Sequence, residues 1–441
     1  MNKKTTLFTC LYFLSALLLQ CSRHESLTPN NPAAIHSNSL SVSDKDAAEL
    51  ARNFLKKDEN QNMAGNEKLR LKESSVHSVP RRVWNVKTLY DDAGNPLMHV
   101  IHFESDQSAE HGFVILAADK RVVPVLAKSD SGTFSLEGEN PGPGIWFERV
   151  KKEVSEGTKR MKVPEKGIAL MWKKLNENKT SLLSETPDYE PPVDPYYCPP
   201  DTYYDSGLLI TSIWRQDEVY NMYCPTRSCG KCSYAYAGCG AVAIAQVWNA
   251  KCNQKPKTYS IAPGPVLNYN FPLKDVRSTI SCTSVNPNDM QIANMIRVAG
   301  MFAESDYNFL NCNTMTWRKD IKTAFQAAGY SNPGSWVNFN NSTNQVRSEL
   351  MSGHPVIMDG TNTTLGFDNW HIWVMVGIRE TILHGVVDLN GSPTCMAWTY
   401  NMYYLNWGWG GKDNGWYAMG NFIGDKVNYD TSLNVTLGMR P

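Results

Sequence analysis

The sequence predicts an α+β protein in two parts, an N-terminal α+β domain and a C-terminal part folded as two lobes. Three observations carry this. Between residues 44 and 180 an amphipathic helix is followed by four strand-like runs and two further helices. After residue 208 the order differs: four helical segments come first and six strand-like runs follow. Between the parts lies a linker, 181–207, in which Pro187, Pro191, Pro192, Pro195, Pro199 and Pro200 keep the chain extended and accessible.

Taken from the amino terminus, residues 1–21 read as an export leader. Lys3 and Lys4 form a basic start, and the apolar run 7–19 is too short and too early to favour a membrane span. It ends Leu17-Leu18-Leu19-Gln20-Cys21, similar to a bacterial lipoprotein box except at Gln20, where a small residue is usual. Cys21 is therefore the expected lipidation site. The chain is expected to be exported, either secreted or held at the bacterial cell envelope by an outer-membrane lipid anchor. Residues 22–43 are a spacer rich in Ser, Asn and Pro.

The helix predicted over 44–57 gathers Ala47, Leu50, Ala51, Phe54 and Leu55 on one face, with Ser43 or Asp44 as its cap. Strands are predicted over 82–89, 98–103, 112–117 and 122–127, the first two joined by the turn Asp92-Ala93-Gly94-Asn95. Helices over 144–156 and 167–177 complete the domain. In the C-terminal part, helices are predicted behind Cys239 and over 289–302, 316–328 and 343–352. Strands are predicted over 355–359, 371–378, 386–390, 402–407, 416–418 and 433–439.

With 43 basic and 43 acidic residues in 441, the chain has no net field to recruit nucleic acid or anionic lipid. Of its 11 cysteines, Cys10 and Cys21 lie in the leader and none occurs between Arg23 and Tyr197. The remaining nine are one more than an even set, so a free thiol among disulfides fits an exported protein. Eight cysteines allow 105 pairings, and spacing does not choose among them. Cys229-Gly230-Lys231-Cys232 has metal or redox spacing, but no second matching pair accompanies it, and no metal or cofactor is expected.

Cys239 is the strongest functional candidate. It stands between Gly238 and Gly240 at the head of a small-residue helical run, where helix N-terminal N–H groups favour thiolate. His371 opens a buried-strand composition, His371-Ile372-Trp373-Val374-Met375-Val376, and Asn406 lies in Leu405-Asn406-Trp407-Gly408-Trp409-Gly410-Gly411. Each has an ordinary structural reading: a disulfide cysteine, a core histidine, a turn with packed tryptophans. A thiol nucleophile needs a base for its proton and a third group to orient that base. All three in this order and spacing match a papain-like arrangement.

These residues resemble the streptopain-like cysteine peptidases, secreted bacterial zymogens of the papain superfamily. The likeness takes in Trp214-Arg215-Gln216, the glycine–cysteine segment ending Ala245-Gln246, His371 on its Val-rich strand, the run 406–411 and Leu437-Gly438-Met439. It implies a two-lobed papain-like catalytic domain over 208–441, with Cys239 as nucleophile and His371 as base. Gln216 would be an oxyanion donor beside the Cys239 N–H, and Asn406 would orient His371. Trp407 would shield that contact. Trp370 and Trp407 are the expected substrate-facing residues. Residues 112–119, 123–126 and 129–132 resemble the same family's propeptide, implying that residues 44–180 inhibit the enzyme intramolecularly until proteolysis. Two departures stand out: Trp370 and Ile372 flank the base where the family usually has Gly and Ala, and Gly240 replaces a usual β-branched residue.

The expected activity is hydrolysis of protein or peptide substrates through a thioester. Two other functions are consistent with parts of the pattern. A transglutaminase or amidase would use the same three side chains. A non-catalytic surface lipoprotein that binds proteins would tie Cys239 in a disulfide.

Overall fold

The first helix starts where the sequence supplies a cap. The Ser43 hydroxyl accepts the Asp46 N–H at 3.2 Å, and helix α1 runs Asp44–Gly65. The structure, a computed structural model, describes residues 40–65, 81–105, 108–177, 198–228, 230–251, 273, 281–309, 312–361, 370–389, 391–423 and 433–441. Cys21 and the leader lie outside them, as do 178–180 of the N-terminal domain, 181–197 of the linker and Cys229.

Four antiparallel strands follow: β1 Arg81–Tyr90, β2 Pro96–Ser105, β3 Ser108–Ala117 and β4 Val125–Ser129. The β1–β2 turn is held by Asp91, whose Oδ1 accepts the N–H groups of Ala93 and Asn95 at 3.0 and 2.8 Å. Strand β4 starts later than the sequence predicts. Pro124 has no N–H for the ladder, and Val123 instead donates to the Phe422 carbonyl at 2.8 Å. Helices α2 Gly142–Arg160 and α3 Lys166–Asn176 close the domain.

The C-terminal part begins earlier than the sequence suggests. Strand β5, Thr202–Asp205, pairs with the strand that carries His371, and Cys198 is disulfide-bonded to Cys395. Helices α4 Cys239–Lys251, α5 Pro287–Phe302 and α6 Arg318–Ala327 supply most of one lobe, whereas α7 Thr343–Met351, expected with them, packs through Val346 and Leu350 into the core of the strands. Strands β6 Asn332–Asn338, β7 Val356–Gly360, β8 His371–Leu389, β9 Ser392–Asn406, β10 Gly415–Ala418 and β11 Asn434–Arg440 supply the other. Pro333 and Gly334 hid β6 from the sequence reading. It sits at the sheet margin, where both residues are tolerated.

The strands join into one sheet, ordered β1-β2-β3-β4-β10-β9-β8-β7-β11-β6. Strand β4 of the N-terminal domain thus lies directly against β10, with Lys128 opposite Trp416 and Ala127 opposite Tyr417. One apolar core runs through the N-terminal domain and into the strand lobe, including Phe113, Trp146, Trp373, Trp407 and Tyr417. A second fills the helical lobe around Trp214, Val242, Ile296 and Phe325. Strand β8 serves both cores: Ile372, Val374 and Val376 face the helices, while Trp373 and Met375 face the other way. Burial on both faces explains its unbroken apolar composition.

Cys232 is bonded to Cys282, which removes it as half of a metal-binding pair with Cys229. Cys312 is also disulfide-bonded. Cys224 is not: it is a buried free thiol whose pKa is pushed up to about 12 by burial, so the eight cysteines other than Cys239 do not all pair.

Candidate active site

Cys239 is the first residue of α4, and the turn that delivers it needs its glycines. Gly238 has φ +93°, and a side chain there would run into Thr314. A Cβ on Gly240 would lie 2.5 Å from the Thr316 Cβ, so Thr316 takes up the space a β-branched residue would fill. The Ala237 N–H donates to the Gln216 carbonyl at 2.8 Å, fastening the Gln216 segment to the nucleophile turn. Cys239 is a free thiol, contrary to what a disulfide-tied binding protein requires.

His371 begins β8 opposite Gly360 of β7 and is fully buried. Gln216, Cys239, His371, Trp370 and Trp409 line one cleft of about 640 Å³. The N–H of Ile372, next to His371, faces the Cys239 sulfur. The structure therefore brings together the proposed nucleophile, base and oxyanion donor.

Asn406 is placed differently from the sequence reading. Its Nδ2 donates to the Ser212 carbonyl at 2.7 Å and to Gln246 Oε1 at 3.0 Å, and its Oδ1 accepts the Gly408 N–H at 3.2 Å. The amide is occupied at both ends, so it does not reach the imidazole. The partner of His371 is the Trp407 carbonyl, 2.8 Å from Nε2. A carbonyl only accepts, so Nε2 carries the proton and Nδ1 is left to take one from a thiol.

Trp407 is also corrected. Its ring is fully buried, stacked beside His371 and tilted against Trp373, with its N–H donated to the Asp413 carbonyl at 2.9 Å. It screens the imidazole but does not line the cleft; Trp409 does. Trp370 stands on the cleft wall. Behind it the Arg318 guanidinium lies 4.3 Å from its ring centre and 4.7 Å from that of Trp336, and is paired with buried Asp359. Sequence reading missed this backing, because arginine, acid and two indoles come from four separated segments.

The N-terminal domain covers the site. Residues from Leu136 to Glu148 form the facing wall of the cleft. Gly142, at the start of α2, lies flat on the Trp407 indole: a Cβ there would fall 2.1 Å from Cε3. Asn140 donates to Asp413 at 3.0 Å, and the Trp146 indole donates to the Ala418 carbonyl at 2.8 Å. In the sequence this segment shows only the start of a helix over 144–156.

Coverage changes the chemistry of the pair. Burial pushes the Cys239 thiol up to about 11, outweighing the Ile372, Gly240 and Cys239 N–H groups that pull it down. Burial likewise holds His371 down at about 4, against the Trp407 carbonyl, which raises it. Both groups are neutral at pH 7 in this covered state, so the helix terminus alone does not yield the thiolate expected from sequence.

A pH prediction follows for the covered chain. His371 titrates near 6.5 when unfolded and near 4 when buried, so unfolded chain binds more protons between those values. Stability should therefore fall as pH drops from 6.5 towards 4, by about 3 kcal/mol from this residue when protonation is complete. Denaturant unfolding of a Cys239→Ala chain, compared with Cys239→Ala/His371→Gln at pH 7.5 and 4.5, measures it. Identical pH dependence in the two would refute the assignment.

A thiol at a helix head, an oriented imidazole and a covering N-terminal domain define a cysteine peptidase in zymogen form, inhibited by its own N-terminal domain. Residues 214–417 match the Peptidase C10 family and residues 39–154 match the Spi protease inhibitor family. The chain thus carries a Peptidase C10, or streptopain-family, cysteine peptidase domain behind a Spi inhibitor domain. Its fold is similar to a fragment of prointerpain A from Prevotella intermedia that carries a cysteine-to-alanine mutation. The TM-score is 0.51 at 18% identity, covering 81% of this chain and 99% of that one. Active wild-type interpain A from the same organism matches at 20% identity over 54% of this chain and 96% of its own, with a TM-score of 0.37. No curated protein matches.

Proposed function

We propose that the chain is an exported endopeptidase, secreted or held at the envelope by lipid on Cys21, in which Cys239 is the nucleophile and His371 the base. The observation that carries this reading is the shared cleft, with thiol and imidazole on opposite lobes and the N-terminal domain over both. Departure of that domain hydrates the pair and relieves the burial that keeps both groups neutral. His371 Nδ1 then takes the thiol proton, and the thiolate attacks a peptide carbonyl. The oxyanion is met by the Cys239 N–H and the Gln216 amide. The imidazolium protonates the departing amine, leaving a thioester that water, deprotonated by the same imidazole, hydrolyses to a free carboxylate.

Labelling by an epoxide thiol inhibitor tests the assignment. Matured protein should take up one equivalent at Cys239, and a His371→Ala variant should not. Labelling of Cys224 in place of Cys239, or equal labelling in both proteins, would remove the support.

The Cys198–Cys395 bond constrains maturation. A cut before Cys198 frees the N-terminal domain, whereas a cut after it leaves that domain attached through sulfur. The mature chain should therefore begin at or before Cys198. A mature amino terminus beyond Cys198, with the N-terminal domain free on a non-reducing gel, would contradict this.

A further inference from the structure

We propose that Gln246 is a positioning residue for the catalytic pair, acting on His371 through Asn406 and the Trp407–Gly408 peptide. This rests on the reading of Cys239 and His371 as the reacting groups. Gln246 lies on α4, about two turns beyond Cys239, and is fully buried. Its Oε1 accepts from Asn406 Nδ2 and from the Ser212 hydroxyl, both at 3.0 Å.

The orientation of both amides is dictated by backbone atoms. The Ser212 carbonyl at 2.7 Å must face the Asn406 NH2 group, and the Gly408 N–H at 3.2 Å must face its oxygen. With the Asn406 NH2 fixed, Gln246 must present its oxygen to it. Gln246 Nε2 has no hydrogen-bond partner in the structure, so only the oxygen of this amide is used.

The next link is a peptide plane. The Gly408 N–H held by Asn406 and the Trp407 carbonyl are rigidly coplanar, so fixing one aims the other. That carbonyl accepts from His371 Nε2 at 2.8 Å. The aim is not a default of the chain, since Gly408 has φ +72°. Asn414 Oδ1, accepting the Trp407 N–H at 2.9 Å, holds the preceding plane. One helix thus carries the nucleophile and, two turns on, the acceptor that sets the direction of the base. If Gln246 only filled the core, its loss would lower stability and leave the titration of the pair alone.

The test uses the full chain, expressed as precursor and matured, with rates normalised to active sites titrated by an epoxide. The variants are Gln246→Met, matched in length, and Gln246→Glu, which keeps an acceptor oxygen. For Gln246→Met we expect kcat to fall on the order of tenfold or more with KM within about twofold. The onset of iodoacetamide alkylation of Cys239 should move to higher pH, because a misaimed carbonyl supports imidazolium less well and so leaves the thiolate less stabilised. Gln246→Glu should stay within about threefold of the parent. Gln246→Met combined with Asn406→Ala should be no slower than Asn406→Ala alone, since both break one path.

Unchanged kcat and alkylation profile in titrated Gln246→Met, or additive losses in the double variant, would overturn the proposal. If Gln246→Met gives no folded enzyme, Gln246→Glu decides: a folded variant slowed more than about tenfold also overturns it. A Cys239→Ala chain that still hydrolyses peptides would instead mean that the underlying pair is misassigned, a separate failure.

Discussion

Exchanging the Cys239 thiol for hydrogen, Cys239→Ala, should lower peptide hydrolysis by about five orders of magnitude or more. The size follows from the chemistry. Without the sulfur no thioester forms, and what remains is binding plus the oxyanion donors, a small residue of catalysis over water. The fold should survive, because the change removes one atom at a helix terminus whose geometry is set by Gly238 and Gly240 rather than by the thiol. His371→Ala should cost nearly as much, and the double variant little more than either, since the groups act as a unit. The measurement is kcat/KM on a peptide substrate, alongside the mass of the precursor. Accumulation of unprocessed Cys239→Ala chain means that maturation is autocatalytic; normal processing means that another protease cuts it. Hydrolysis by Cys239→Ala at even a hundredth of the parent rate would end the assignment.

Gly142→Leu should produce a precursor that no longer stays latent. The glycine rests on an indole that cannot retreat, because Trp407 is enclosed by Trp373 and Tyr417 and pinned through its N–H to Asp413. A leucine side chain must therefore lift α2. Overpacking of this kind typically costs about 1–3 kcal/mol, which raises the population of the uncovered state roughly five- to 150-fold. The readout is the alkylation rate of Cys239 in uncleaved precursor carrying His371, in parallel with mature enzyme. A rate equal to that of the unsubstituted precursor would show that the Gly142 contact does not hold the cover down. Asn140→Ala, which removes the bond to Asp413 and the acceptor of the Gly142 N–H, should act in the same direction.

The architecture was legible where local pattern and burial agree. Helix α1 announced itself through Ser43 and the spacing of Ala47, Leu50 and Ala51, and the start of β8 through an apolar run that two cores demand. Cys239 and His371 were legible because glycines, helix and strand composition surround each. Asn406 was legible as a member of the site but not in its role. Sequence order does not tell whether an amide or the next carbonyl points at the ring, and Gly408's left-handed turn decides for the carbonyl. The length of β8 was hidden as well: Arg379 to Gly385 read as a break, yet Arg379 is tied to Asp205 and Asp58 and Gly385 packs on Leu170 and Trp398. The seat of Gly142 on Trp407 left no trace, since residues far apart in the chain meet only through tertiary packing.

The seam between β4 and β10 gives activation a second product besides an open cleft. Gly415 to Ala418 are completely enclosed in the precursor, with Lys128 and Ala127 alongside. Shedding the inhibitor bares a row of main-chain donors and acceptors beside Trp416 and Tyr417, a sticky margin of the sort that recruits stray strands and drives clumping. Newly ripened enzyme should on that account be less soluble than its parent, and colloidal behaviour should worsen at the moment potency appears.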